Sequence, residues 1–146
     1  MADRTIEREI RVEAAPEVVY EVISSPEHLR EWWPDDADLE PVAGATGTVS
    51  FGEKPDGKVV SLTVIEADPP RRFAFRWDYP EGEAATEANS LLVTFDLVAA
   101  GTGTVLRFAE TGFDEASEAQ YRDHVNGWNY FLPRLVPYVD RLVSAP

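Results

Sequence analysis

An α+β fold, with a curved antiparallel sheet of about seven strands wrapped round one long C-terminal helix, is predicted by three features of this sequence. Short runs of alternating apolar and polar residues follow one another as far as Glu110, separated by Gly, Pro, Asn and Asp. The chain then closes on a long segment of helical apolar spacing. Two short proline-started helices follow the first strand directly, an uncommon order. A sheet of that extent has one apolar face to cover, and only the terminal helix is long enough to cover it.

Residues 5–13 alternate, with Ile6, Ile10 and Val12 opposite Glu7, Glu9 and Arg11, which reads as a half-buried strand. Pro16 suits the first turn of a helix, Glu17 complements its dipole, and Val18, Val19, Val22 and Ile23 form its apolar stripe. Ser25 as N-cap and Pro26 at N1 start a second helix, with Leu29, Trp32 and Trp33 as its apolar side and Pro34 as its end. Strands are expected over Thr48–Phe51 and Lys58–Ala67. After the Asp68-Pro69-Pro70 turn, Phe73, Phe75 and Trp77 alternate with Arg72, Ala74, Arg76 and Asp78. A polar loop over 80–89 precedes the alternating Leu91, Val93, Phe95 and Leu97. Ala100-Gly101-Thr102-Gly103 makes a tight hairpin, and Thr104, Leu106 and Phe108 alternate on the returning strand. The final helix, Glu115–Val143, has Asp114 as its candidate cap and places Trp128, Phe131, Leu132, Leu135, Val139 and Leu142 at helical spacing. Pro133 and Pro137 each remove a backbone donor and crowd the carbonyl four residues back, so a kink or break is expected between Tyr130 and Val136. No repeat or linker divides the chain.

Thirteen Lys and Arg against 27 Asp and Glu leave a net charge of −14 over 146 residues. Such a surface repels a nucleic-acid duplex or an anionic membrane, both of which need clustered basic residues. No cysteine is present, which removes disulfides and thiolate metal sites. The opening Met1-Ala2-Asp3-Arg4-Thr5 lacks the apolar stretch of a secretory signal, and no apolar run approaches the ~20 residues that span a bilayer. A soluble cytoplasmic protein is the expectation. The two histidines recur at no ligand spacing, so neither metal nor cofactor is expected.

Four segments, APEVVYEVISSPEHLREWWP, IEADPPRRFAFRW, GTGTVLRFAETGF and GWNYFLPRL, resemble the SRPBCC superfamily in their order and spacing. Within it they are most similar to the group like the C-terminal domain of the activator of heat-shock-protein-90 ATPase. Each segment is a weak signal alone; the ordered combination, over about residues 5–143, is strong. The resemblance implies one START-like, helix-grip domain over residues 1–146, with a cavity between sheet and terminal helix. Superfamily members include lipid carriers, hormone-binding proteins and polyketide cyclases. Two features depart from the pattern: Glu110 stands where the family often has His, and the last helix carries two prolines.

The candidate ligand-binding rings are Trp33, Phe51, Phe73, Phe75 and Trp77 from the first half of the chain. Phe95, Phe108, Trp128 and Phe131 complete the set. Such rings either pack solid or retain a hollow. Trp32 and Trp33 point about 100° apart on a helix, so Trp33 is expected at the cavity and Trp32 in a helix–sheet contact. Glu110 shares the inward phase of Leu106 and Phe108, where burial would fit it for acid–base work or ligand contact. The plainer reading puts it at the rim, solvated or paired with Arg107 or Arg122. His124, one turn before Trp128, faces the sheet as a ligand contact, a proton carrier or a satisfied core histidine. His28 reads as a surface residue. The function expected first is the binding or carrying of a small apolar, lipid-, aromatic- or polyketide-like molecule. A cyclase- or isomerase-type enzyme using Glu110 and His124, and a chaperone-associated interaction module, are the alternatives. A homodimer is left open.

Overall fold

The computed structural model describes residues 4–52, 57–114 and 118–144. Its elements run β1 (Arg4–Val12), α1 (Pro16–Ser24), α2 (Pro26–Trp32), β2 (Asp36–Asp38), β3 (Thr46–Phe51), β4 (Lys58–Asp68), β5 (Arg72–Trp77), β6 (Leu91–Ala100), β7 (Gly103–Phe113) and α3 (Glu118–Ser144). The strands form a single antiparallel sheet in the order β1-β7-β6-β5-β4-β3-β2. From β2 to β7 it is a meander; β1 joins at the far side, so α1 and α2 carry the chain from one edge of the sheet to the other. This is the predicted helix-grip α+β architecture.

Period-two alternation decides which face each strand buries. Phe73, Phe75 and Trp77 of β5, Val93, Phe95 and Leu97 of β6, and Leu106, Phe108 and Glu110 of β7 are all buried. Register aligns them across the strands, with Phe73 opposite Phe95 and Phe95 opposite Phe108. The β6–β7 hairpin turns through Gly101, whose φ of 63° is open to glycine at no steric cost. On α3 the buried residues are Trp128, Leu132, Leu135 and Val139, a stripe of helical period that lies against the sheet.

Three expectations need correction. The expected break is absent: helix α3 continues through Pro133 and Pro137, both of which lie on its solvent face. Water can there serve the carbonyls that lose a partner, and a helix curving round a core already lengthens its outer hydrogen bonds. Strand β2 was not expected; its Asp-Ala-Asp is short and acidic, yet it pairs with β3 at Asp36–Ser50, Ala37–Val49 and Asp38–Thr48. Arg30 of α2 fixes it by reaching Asp36 Oδ1 at 2.9 Å and the Ala37 carbonyl at 2.7 Å. His28 is half-buried, its Nδ1 lying 2.6 Å from the Tyr138 hydroxyl of α3. The expected helix start at Glu115 lies outside the described residues. Among the described residues no helix is long and apolar enough to cross a membrane.

Candidate functional site

The wall of the site is set by three side chains that converge on Glu110. This residue is fully buried, at 0% exposure, near the end of β7. The Trp77 indole donates to Oε2 at 2.7 Å and the Trp128 indole to Oε1 at 2.8 Å. His124 Nδ1 lies 2.9 Å from Oε1 and 3.0 Å from Oε2. Both oxygens therefore accept, and Nδ1 carries a proton toward them. A buried carboxyl group with three donors has its hydrogen-bonding capacity met without solvent. The rim position, and the pairing with Arg107 or Arg122, are thus corrected: Arg107 pairs with Glu9 at 3.3 Å and Arg122 with Glu118 at 3.3 Å.

His124 turns its other nitrogen toward Asp78, with Nε2 3.6 Å from Oδ2. The side chain is only 12% exposed. Burial works against charge on the ring, but the nearby Asp78 carboxylate and the hydrogen bond to Glu110 outweigh it and hold the pKa up at about 9. At neutral pH the ring is therefore an imidazolium. The same contact with His124 holds the Asp78 carboxyl below its usual range, against the opposing effect of burial. Gln120 Nε2 donates to Asp78 Oδ2 at 3.0 Å.

Asp78 was expected on the outward face of β5, one step past Trp77. It sits instead at the site, because its φ of 64° takes the chain out of the strand. Aspartate is among the few non-glycine residues that adopt this left-handed conformation. The signal available in sequence was an Asp at a strand end just before Tyr79-Pro80.

Between these groups and the sheet edge lies a half-enclosed cavity of about 540 Å³. Trp33, Phe51, Val60, Trp77, Trp128 and Phe131 give it apolar walls. His124, Asp78 and Gln120 form a polar cluster in its lining, Lys58 and Asp123 add charged groups, and Gly127 forms part of the helical wall. Trp33 is central among the rings, 5.1 Å from Trp77 and 5.2 Å from Trp128 between centroids. Trp32 stacks behind it and donates its indole N–H to the Val22 carbonyl of α1 at 2.9 Å.

Six of the eleven candidate site residues border this cavity: Trp33, Phe51, Trp77, His124, Trp128 and Phe131. The other four rings do not. Phe73, Phe75, Phe95 and Phe108 pack on one another at centroid distances of 6.1, 6.5 and 5.4 Å along the sheet and are part of the core. Glu110 lies behind the wall, touching the cavity only through the rings it holds. Lys58, Val60, Asp78, Gln120, Asp123 and Gly127 were missed, since periodicity picks out apolar faces and carries no information on which polar groups or glycines line a cavity. Among the described residues no three His, Cys, Asp or Glu side chains are arranged to hold a metal ion.

The family model described as Activator of Hsp90 ATPase homolog 1-like protein matches residues 13–140. Protein MLL2253 from Mesorhizobium loti superposes with a TM-score of 0.79 at 24% identity, over 94% of this chain and 97% of that one. The Aha1 dimer from Colwellia psychrerythraea gives 0.72 at 21% identity, over 92% and 95%. DynU16, from the dynemicin biosynthetic locus, gives 0.74 at 24% identity, over 95% of this chain and 48% of its own. At these identities the likeness is one of fold. No curated protein matches the sequence significantly.

Proposed function

Because this chain belongs to the family of Activator of Hsp90 ATPase homolog 1-like proteins, we propose that it binds and carries a small apolar molecule in the cavity between α3 and the sheet. One observation carries this reading: a half-enclosed hollow of about 540 Å³, walled by aromatic rings, with a polar cluster of His124, Asp78 and Gln120 in its lining. Ligand sites of small molecules run from roughly 300 to 1,000 Å³ and have this mixture of apolar walls and few convergent polar groups. Lipid-, aromatic- and polyketide-like compounds are the classes it fits.

The enzyme reading is supported less. It needs two titratable groups that share a reacting atom. Glu110 and His124 touch each other, yet only His124 borders the cavity, so Glu110 is a positioning residue. The chaperone-associated reading rests on the family's name alone. Homodimer formation is a separate proposal that light scattering decides.

Gly127 offers the direct test. A Cβ built there meets nothing within 4 Å, so it enters open space. Gly127→Leu should therefore fold normally while filling part of the hollow. Native mass spectrometry and thermal shift across the three compound classes should give at least one ligand for the wild type. Its affinity should fall more than about tenfold in Gly127→Leu, about 1.4 kcal/mol. Equal affinity in the two proteins, or no ligand in any class, sinks the proposal.

A further inference from the structure

The polar cluster in the cavity lining has an uneven supply of donors and acceptors, and this imbalance specifies the ligand further. His124 Nδ1 is committed to Glu110. Nε2 faces Asp78 Oδ2 at 3.6 Å, beyond hydrogen-bond length, and that oxygen already accepts from Gln120 at 3.0 Å. The result is a charged N–H in a mostly dry wall with an under-filled acceptor position beside aromatic rings. A desolvated charged donor without a full partner is costly, and a ligand that completes it gains accordingly.

The charge of the surroundings decides what kind of acceptor enters. Among the described residues, Asp78 and Asp123 border the space, Glu110 stands behind it, and Lys58 is the cation in its lining besides His124. A ligand carboxylate would bring a full negative charge to a space that Asp78 and Asp123 already border, whereas a neutral carbonyl oxygen brings only a partial one. Trp33, Trp77 and Trp128 supply flat apolar walls for the rest of the molecule. Resting on the binding function proposed above, we infer that the occupant is a neutral, flat, apolar molecule bearing a carbonyl oxygen, which accepts a hydrogen bond from His124 Nε2.

Four naphthalene probes of one shape separate the possibilities: 2-acetylnaphthalene, 2-ethylnaphthalene, 2-naphthoate and 2-naphthylmethylammonium. Binding is read by calorimetry and by quenching of the cavity tryptophans. The ketone should bind about tenfold or more tightly than the hydrocarbon, the span expected for one hydrogen bond to a charged donor. It should also exceed the carboxylate and the ammonium. In His124→Leu the ketone's advantage over the hydrocarbon should shrink below about threefold, with hydrocarbon affinity little changed. In the wild type the advantage should fade as pH rises through about 9, the pKa of His124. The neutral ring keeps Nδ1–H on Glu110 and presents Nε2 as an acceptor beside Asp78, in a cavity that Asp123 and Lys58 also line. That titration needs no variant, so misfolding of His124→Leu leaves the test standing. Ketone and hydrocarbon binding equally overturns this inference and leaves the binding function intact; so does an ammonium that binds more tightly than the ketone. Failure of all four probes counts against both.

Discussion

The two ends of the sheet's aromatic face are built from the same residue types in the same phase, yet one end is solid and the other hollow. At the solid end Phe73, Phe75, Phe95 and Phe108 are each about 1–2% exposed, and Tyr20 of α1 meets Phe73 edge-on at 6.1 Å. At the other end Trp77, Phe51 and Trp33 are faced by the first turns of α3, which carry Gln120, Asp123, His124 and Gly127. Three of these side chains are polar, and His124 and Gln120 are held in hydrogen bonds with Glu110 and Asp78 that keep them from collapsing onto the rings. The fourth residue has no side chain. Strand phase thus fixes which rings face inward; what the covering helix brings opposite them decides whether a space remains.

The difference is put under most stress by removing one group from each end. Glu110→Leu leaves two indole N–H groups and the His124 ring without their acceptor. Breaking a buried, hydrogen-bonded charge pair costs about 3–5 kcal/mol. Phe95→Ala, in the solid half, opens a cavity at a similar cost of about 3–5 kcal/mol. Urea unfolding should register both losses. Ligand binding, measured where each variant is still folded, should separate them: Glu110→Leu frees the cavity's own rings and weakens binding, while Phe95→Ala leaves it unchanged. Equal effects on binding would mean that the two ends are one mechanical unit.

A smaller effect comes from pH, and it belongs to the hollow end alone. His124 is raised from 6.5 in the unfolded chain to about 9 in the fold. Its contribution is therefore complete below pH 6.5 and is lost as pH rises through about 9. Integrated over that interval it amounts to at most roughly 3 kcal/mol, less what residual solvent contact screens. Asp78 is lowered, so its contribution is present above its unfolded value of 3.8 and lost as pH falls below that. Unfolding free energies measured from pH 6.5 to 10 should fall for the wild type by more than for His124→Asn. Parallel curves would show that the imidazolium is not held as described.

How much of this was legible follows from the same physics. Strand period fixed the inward aim of Glu110 and of the rings on β5, β6 and β7, because side chains alternate whatever the partners are. The partners of Glu110 were not legible, since Trp77, His124 and Trp128 come from β5 and α3 and meet it only in the folded chain. Asp78 was misassigned because alternation was carried one residue past the strand, into a left-handed residue. The prolines of α3 were read by their effect on backbone hydrogen bonds alone; their place on the solvent face, which decides the outcome, needs the helix to be oriented first. The hollow itself was beyond sequence, because a void is set by what is missing opposite a ring.

The least change that probes the hollow end is a single methyl group, and a tightly packed glycine of the sheet sets the contrast. Added at Gly47 in β3, a Cβ would lie 2.2 Å from the Asp38 carbonyl oxygen, so Ala there forces strands apart. Added at Gly127 it meets nothing within 4 Å. Glycine within a helix costs about 0.5–1 kcal/mol relative to alanine, through the freedom it loses on folding. Gly127→Ala should therefore stabilise the protein by up to about 1 kcal/mol, a rise of roughly 2–5 °C in Tm for a chain of this length. One methyl is too small to fill the hollow, so ligand affinity should change less than about threefold. A Tm that falls instead would mean that the space beside Gly127 is already occupied, and that the hollow end is as solid as the other.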